Sequence, residues 1–153
     1  MSHLSPERVL DRFELPSVTG NERQAMERVA ASIGGLGLPV RRIERLKTAV
    51  AEATMNAIEH GNRGHADLPV RIEVGAVNGA VVVRITDHGD GHKIPEATRP
   101  DLEAKLAGLQ KPRGWGLFLI RNMVDEMRVT GDERHHTIEL VMRLEGGTDG
   151  GDD

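Results

Sequence analysis

Glu52-Ala53-Thr54-Met55-Asn56-Ala57-Ile58-Glu59-His60-Gly61-Asn62 closes a long amphipathic segment. Upstream of it, Ile43, Leu46, Val50, Ala53 and Ala57 step by three and four, the spacing of one helix face. Pro39 suits the first turn of such a helix, and Gly61-Asn62-Arg63-Gly64 stops it. Glu52 and Asn56 are neighbours on one helix side. At about 3.6 residues per turn they lie roughly 100–140° round from the centre of the apolar stripe, so they flank the core rather than fill it. A carboxylate there can orient or deprotonate an attacking hydroxyl. An amide oxygen is a hard donor suited to magnesium. His60, a turn further on, falls nearer the apolar side and is expected to pack or to cap the helix end.

Outward from this helix, the pattern alternates between strand and helix. Val70, Ile72 and Val74 alternate with Arg71 and Glu73, Asn78-Gly79 is a hairpin signal, and Val81 to Ile85 is a continuous apolar run of the kind a central strand carries. On the N-terminal side, Val9 to Leu15 alternates loosely as an edge strand closed by Pro16. Asn21 to Ile33 has the helical period, with Asn21 as its cap and Gly34-Gly35-Leu36-Gly37 as its end. Towards the C-terminus there is a weak helical stretch near Leu102 to Leu109. A helix from Gly116 to Met127 carries Leu117, Ile120, Val124 and Met127 on one face, and strands follow at Val129 to Gly131 and Thr137 to Leu144. His135-His136 falls in the turn between them or at an exposed strand start. Residues 1–8 are expected to fray, 9–145 to form one domain, and 146–153 to be a disordered Gly/Asp tail. The fold class is α+β, a mixed, mostly antiparallel sheet with helices on one face.

Composition narrows the function. The chain has 153 residues, enough for one domain with a proper core. Two Phe, one Trp and no Tyr leave that core to aliphatic side chains. The net charge of −4 offers no basic surface for nucleic acid. The absence of cysteine excludes disulfides and thiolate metal sites and fits a reducing compartment. No apolar run approaches about 18 residues and no signal-peptide core opens the chain, so no membrane partner is expected and the protein is read as cytoplasmic.

Two further segments carry chemistry. Asp87-His88-Gly89-Asp90-Gly91 follows the apolar strand. A half-buried carboxylate at a strand end can accept an exocyclic amine of adenine, and Gly89 and Gly91 allow a flat base to approach closely. The acid spacing of a calcium loop is missing. Arg113-Gly114-Trp115-Gly116-Leu117 opens an apolar helix whose free N–H groups suit phosphate, with Arg113 and Lys111 adding positive charge. No Gly-Lys-Ser/Thr follows, so it is not the usual P-loop, and no strand leads into it as in a dinucleotide fingerprint. Trp115 either moves with a lid or packs beneath one. Each segment alone is a weak signal. In this order and spacing the three describe one pocket for an adenine nucleotide and its magnesium ion.

Together they resemble the Bergerat-fold (GHKL) ATP-binding superfamily of gyrase-type topoisomerases, Hsp-type chaperones, MutL-type repair proteins and histidine kinases. In that pattern the segment from Glu52 to Gly61 is similar to the N box, and the segments at Asp87 and Arg113 are similar to the two glycine boxes. Thr137 matches the threonine that supports adenine from the last strand. The resemblance runs from Leu10 to Leu144 and implies a Bergerat-type ATP-binding sandwich. No phospho-acceptor hairpin or transducer domain is read in the chain, and the form of the N box narrows the resemblance to stand-alone anti-sigma factor serine/threonine kinases. Glu59 stands where histidine kinases often carry a lysine, which fits that narrower group.

What the resemblance implies follows residue by residue. Glu52 is the general base on a substrate serine, Asn56 holds Mg2+ against the phosphates of ATP, and Asp87 reads adenine. Gly89, Gly91, Gly114, Gly116 and Leu117 shape the pocket and a lid from Asp90 to Arg113, with Arg113, Lys111 or Lys105 as phosphate-side cations. The implied partners are a sigma factor and an anti-anti-sigma protein carrying the acceptor serine, with a homodimer as the common assembly. The alternative is an ATP-gated module that sequesters its partner with little or no kinase activity.

Overall fold

The computed structural model describes residues 8–89 and 115–144. Gly91, Lys105, Lys111, Arg113 and Gly114, the helical stretch expected near Leu102, and the N- and C-terminal segments lie outside the described residues.

Five strands build the sheet: β1 (Arg8–Pro16), β2 (Pro69–Val77), β3 (Ala80–Asp87), β4 (Glu126–Gly131) and β5 (His136–Arg143). Their order is β1-β2-β3-β5-β4, and every pairing among the described residues is antiparallel. Asn78 and Gly79 both take positive φ, 48° and 78°, the left-handed pair that a two-residue hairpin demands, and they join β2 to β3. β1 is the edge strand expected from its loose alternation. A register shift between Val9 and Asp11 marks the bulge that breaks its period.

Three helices cover one face: α1 (Asn21–Ser32), α2 (Val40–Asn56) and α3 (Trp115–Met123). Val70, Ile72, Val83, Ile85, Ile138 and Leu140 on the sheet meet Val29, Leu46, Val50, Ala53, Leu117 and Ile120 on the helices, all buried. The opposite face has no helix among the described residues and carries charge in register. Arg12, Glu73, Arg84, Glu139 and Arg128 lie side by side across all five strands. Consecutive partners are 2.7, 3.4, 2.9 and 3.2 Å apart. Alternating sign across neighbouring strands is the arrangement that cross-strand pairing favours.

Three local expectations change. Asn21 does not cap α1. Its side chain donates to the Pro16 carbonyl, Gly20 occupies the cap at φ 108°, and Glu22 reaches back to accept the Gly20 N–H. Met127 belongs to β4 rather than to α3, because the backbone turns at Asp125 to pair with Val141. The spacing of Ile120, Val124 and Met127 satisfies a helix, but Met127 and Val129 satisfy a strand equally well. After Asn56 the chain does not continue as α-helix but widens into one π-helical turn, Ala57–Gly61. The wider turn rotates His60 out to solvent, where it neither packs nor caps.

Candidate nucleotide site

Glu52 and Asn56 stand on the last turns of α2, both half-buried beside the core stripe. The π-helical turn then brings the Gly61 backbone against the end of β3. A Cβ at Gly61 would overlap the Asp87 carboxylate, so only glycine permits this approach. Asp87 closes β3 on the helix-covered face, in phase with Val83 and Ile85, and is 3 % exposed. Burial pushes its carboxyl up to about 7, because a charged group loses hydration there. Its Oδ1 is buried and makes no hydrogen bond among the described residues. A carboxylate so placed suits a donor brought by a ligand.

Asn62 holds this corner in shape. It is buried, and its amide donates to Ser17 Oγ at 2.8 Å and lies 3.1 Å from the carbonyls of both Leu68 and Pro69. Its Oδ1 accepts the His88 N–H at 2.7 Å. One side chain therefore ties the end of the π turn, the start of β2 and the segment just after Asp87. Sequence reading assigned Asn62 only to a turn. Its position directly after Gly61 was the available signal.

The third segment meets the first. Gly116, in the first turn of α3, lies so close that a Cβ there would stand 3.4 Å from Glu52 Oε1. Leu117 is 2 % exposed and sits in the core, holding α3 against the sheet rather than lining an open pocket. Gly89 approaches as Gly61 does: a Cβ there would overlap the His136 imidazole and come within 2.9 Å of Asp87 Oδ1.

Thr137 is not brought to Asp87: it pairs with Thr86 across β3 and β5, the two hydroxyls 2.9 Å apart, on the face opposite Asp87. The residue in register with Asp87, on the same face, is His136. It is buried rather than an exposed strand start, with Nδ1 3.4 Å from Asp87 Oδ1. Gly131, opposite His136 on β4, makes room for the ring.

The structure thus brings together a deep carboxylate at a strand end, the glycine backbone of Gly61 and Gly89, and a glutamate facing Gly116 at the start of α3. Residues 15–142 match the histidine kinase-like ATPase domain. The chain belongs to that family. Among its relatives, the anti-sigma F factor of Clostridium botulinum (strain Eklund 17B / Type B) is 34 % identical over 132 residues, covering 82 % of this chain and 87 % of that protein. The anti-sigma F factor of Bacillus thuringiensis (strain Al Hakam) is 32 % identical, covering 82 % and 85 %. About a third of the structure of the RsbU and RsbW domains of Rv1364c from Mycobacterium tuberculosis has a similar fold, with a TM-score of 0.62 at 18 % identity, over 88 % of this chain and 32 % of that one. The SiaB–SiaC complex from Pseudomonas aeruginosa gives 0.60 at 15 % identity, over 88 % and 90 %.

As a histidine kinase-like ATPase domain, the chain is an ATP-binding protein of the α+β class that its motifs indicated. Among the described residues no cluster of three or more His, Cys, Asp or Glu side chains is arranged to hold a metal, and no helix is long and apolar enough to cross a membrane.

Proposed function

We propose that this protein is an anti-sigma factor and a serine kinase that transfers the γ-phosphoryl of ATP to a serine of an anti-anti-sigma partner. The observation that carries the reading is the buried Asp87 carboxylate, with an oxygen that makes no hydrogen bond among the described residues and with Gly61 and Gly89 pressed close around it. A flat heterocycle bearing an amine supplies the missing donor, and the glycine backbone leaves room at its edge. The anti-sigma role rests on the names of the relatives, and a partner-switching role is in keeping with that likeness.

In this reading Asp87 selects adenine by accepting its exocyclic amine. Asn62 keeps the backbone after Asp87 in place. Glu52, across from Gly116, orients the acceptor hydroxyl and takes its proton. Such transfer depends chiefly on positioning and charge neutralisation. Asn56 offers an amide oxygen on the same helix side, a hard donor that would hold a magnesium ion bound with the nucleotide. When bound, that ion neutralises charge on the transferred group. The sigma factor would dock on the folded domain, and the family pattern implies that two copies act together.

The test mixes the protein with Mg-ATP and its candidate anti-anti-sigma partner and reads the partner's mass. Gain of one phosphate is expected. Glu52→Gln should reduce transfer by about 100-fold or more while ADP affinity stays within a few-fold. Full transfer by that variant would remove Glu52 from its role. Tight nucleotide binding by the wild type without any transfer would reduce the protein to an ATP-gated sequestering module.

A further inference from the structure

We propose that His136 is the positioning residue for Asp87: its imidazole, held beside that carboxyl group, takes over the carboxyl proton when an adenine ring docks. The inference rests on the reading of Asp87 as the base-binding acid.

The two residues are direct partners across β3 and β5, both buried, with Nδ1 and Oδ1 3.4 Å apart. Gly89 and Gly131 close on the imidazole from two sides, so the ring has little freedom to leave the carboxyl. Burial brings Asp87 to about 7, so its proton is exchangeable near neutral pH. Two such groups in contact titrate as a pair.

The proton balance is internal. The carboxylic O–H bond breaks, an imidazole N–H bond forms, and the carboxylate accepts the exocyclic amine of the base. Nothing leaves the pair. Without the imidazole, the same docking must expel the proton to solvent, and affinity then falls as the pH drops.

Among the described residues, the other titratable groups around the pair lie nearer solvent. His88 follows Asp87, with its ring nitrogen 3.2 Å from the Pro69 carbonyl. His135, half-buried on the β4–β5 turn, has its ring 5.0 Å from that of His88. Asp132 on that turn is held low by the N–H groups of Arg134 and His135. Arg134, Glu133, Glu59 and His60 are exposed. Glu52 on α2 faces Gly116.

The test is calorimetric titration of ADP into wild type, His136→Thr and His136→Asn, at pH 6 and pH 8, in buffers of different ionisation enthalpy. Wild-type affinity should change by less than about threefold between the two pH values, with little proton release at pH 6. The variants should lose about tenfold in affinity from pH 8 to pH 6 and release close to about one proton per ADP at pH 6. Parallel profiles in wild type and variants would overturn the proposal, since a purely structural role lowers affinity equally at both pH values. A wild type that binds no ADP would overturn the nucleotide reading itself, and this inference with it. A ligand-free measurement separates the two. In the nucleotide-free protein the NMR titration of the His136 ring should change on Asp87→Asn, and a titration indifferent to that substitution sinks the proton transfer between them.

Discussion

The two ends of α2 each lean on a buried charged residue, and they treat it in opposite ways. At the N-terminal end Arg42 is 4 % exposed. Its Nη2 meets Asp125 Oδ2 at 2.7 Å, its Nε donates to the Arg143 carbonyl, and the same Asp125 oxygen accepts the Arg143 N–H. Every element that converges there, namely α2, the α3–β4 connection and β5, is tied by a satisfied hydrogen bond. At the C-terminal end, past the π turn, Asp87 is as deeply buried. Burial lifts its pKa towards neutrality, and one of its oxygens makes no hydrogen bond among the described residues. A buried charge with its partners in place holds a fold together. A buried acid without them costs stability, a cost that a ligand supplying the missing donor would offset.

Three substitutions break or sharpen that contrast. The largest effect is expected at the satisfied end. Arg42→Ala removes the buried guanidinium from Asp125, which keeps only its Arg143 contacts, and should lower unfolding free energy by about 3 kcal/mol in urea titration. A loss below about 1 kcal/mol would show the pair to be no more than a surface contact.

At the other end the sign reverses. The folded protein holds a proton on Asp87 that the unfolded chain loses near pH 4, so this residue's contribution to stability falls as pH rises from about 4 to about 7 and is level above that. Asp87→Asn cannot ionise. The nucleotide-free variant should therefore melt several degrees higher than wild type at pH 8 and match it near pH 4, while ADP affinity falls by about 100-fold. A variant destabilised at pH 8 would put Asp87 in the same class as Arg42.

The smallest effect belongs to the open face. Arg12→Ala removes an exposed end of the charge row and should cost under about 1 kcal/mol, shrinking further in high salt, as thermal melts at two ionic strengths would read.

The strands and helices were legible because each signal was local and unopposed. Val70, Ile72 and Val74 alternate, Asn78-Gly79 turns, and the stripe from Ile43 to Ala57 has the helical period. The elements misread were those where two readings fit the same letters. Met127 served a helix and a strand equally well. His60 was placed by counting about 3.6 residues per turn through a turn that is wider. Thr137 matches a motif threonine of the last strand, yet the strand begins at His136 and successive residues face opposite ways, so Thr137 lies on the face away from Asp87.

By itself the sequence determined the class of fold, the family and the order of the three segments, since composition, period and motif spacing are properties of the chain. Which side chain faces Asp87 was decided only by the tertiary structure. That depends on the register between β3 and β5, set by packing across the whole sheet, and a slip of one residue exchanges His136 for Thr137. The same packing brought Gly61, Gly89 and Gly131 round one carboxyl–imidazole pair from three places in the chain, a juxtaposition that no local pattern encodes.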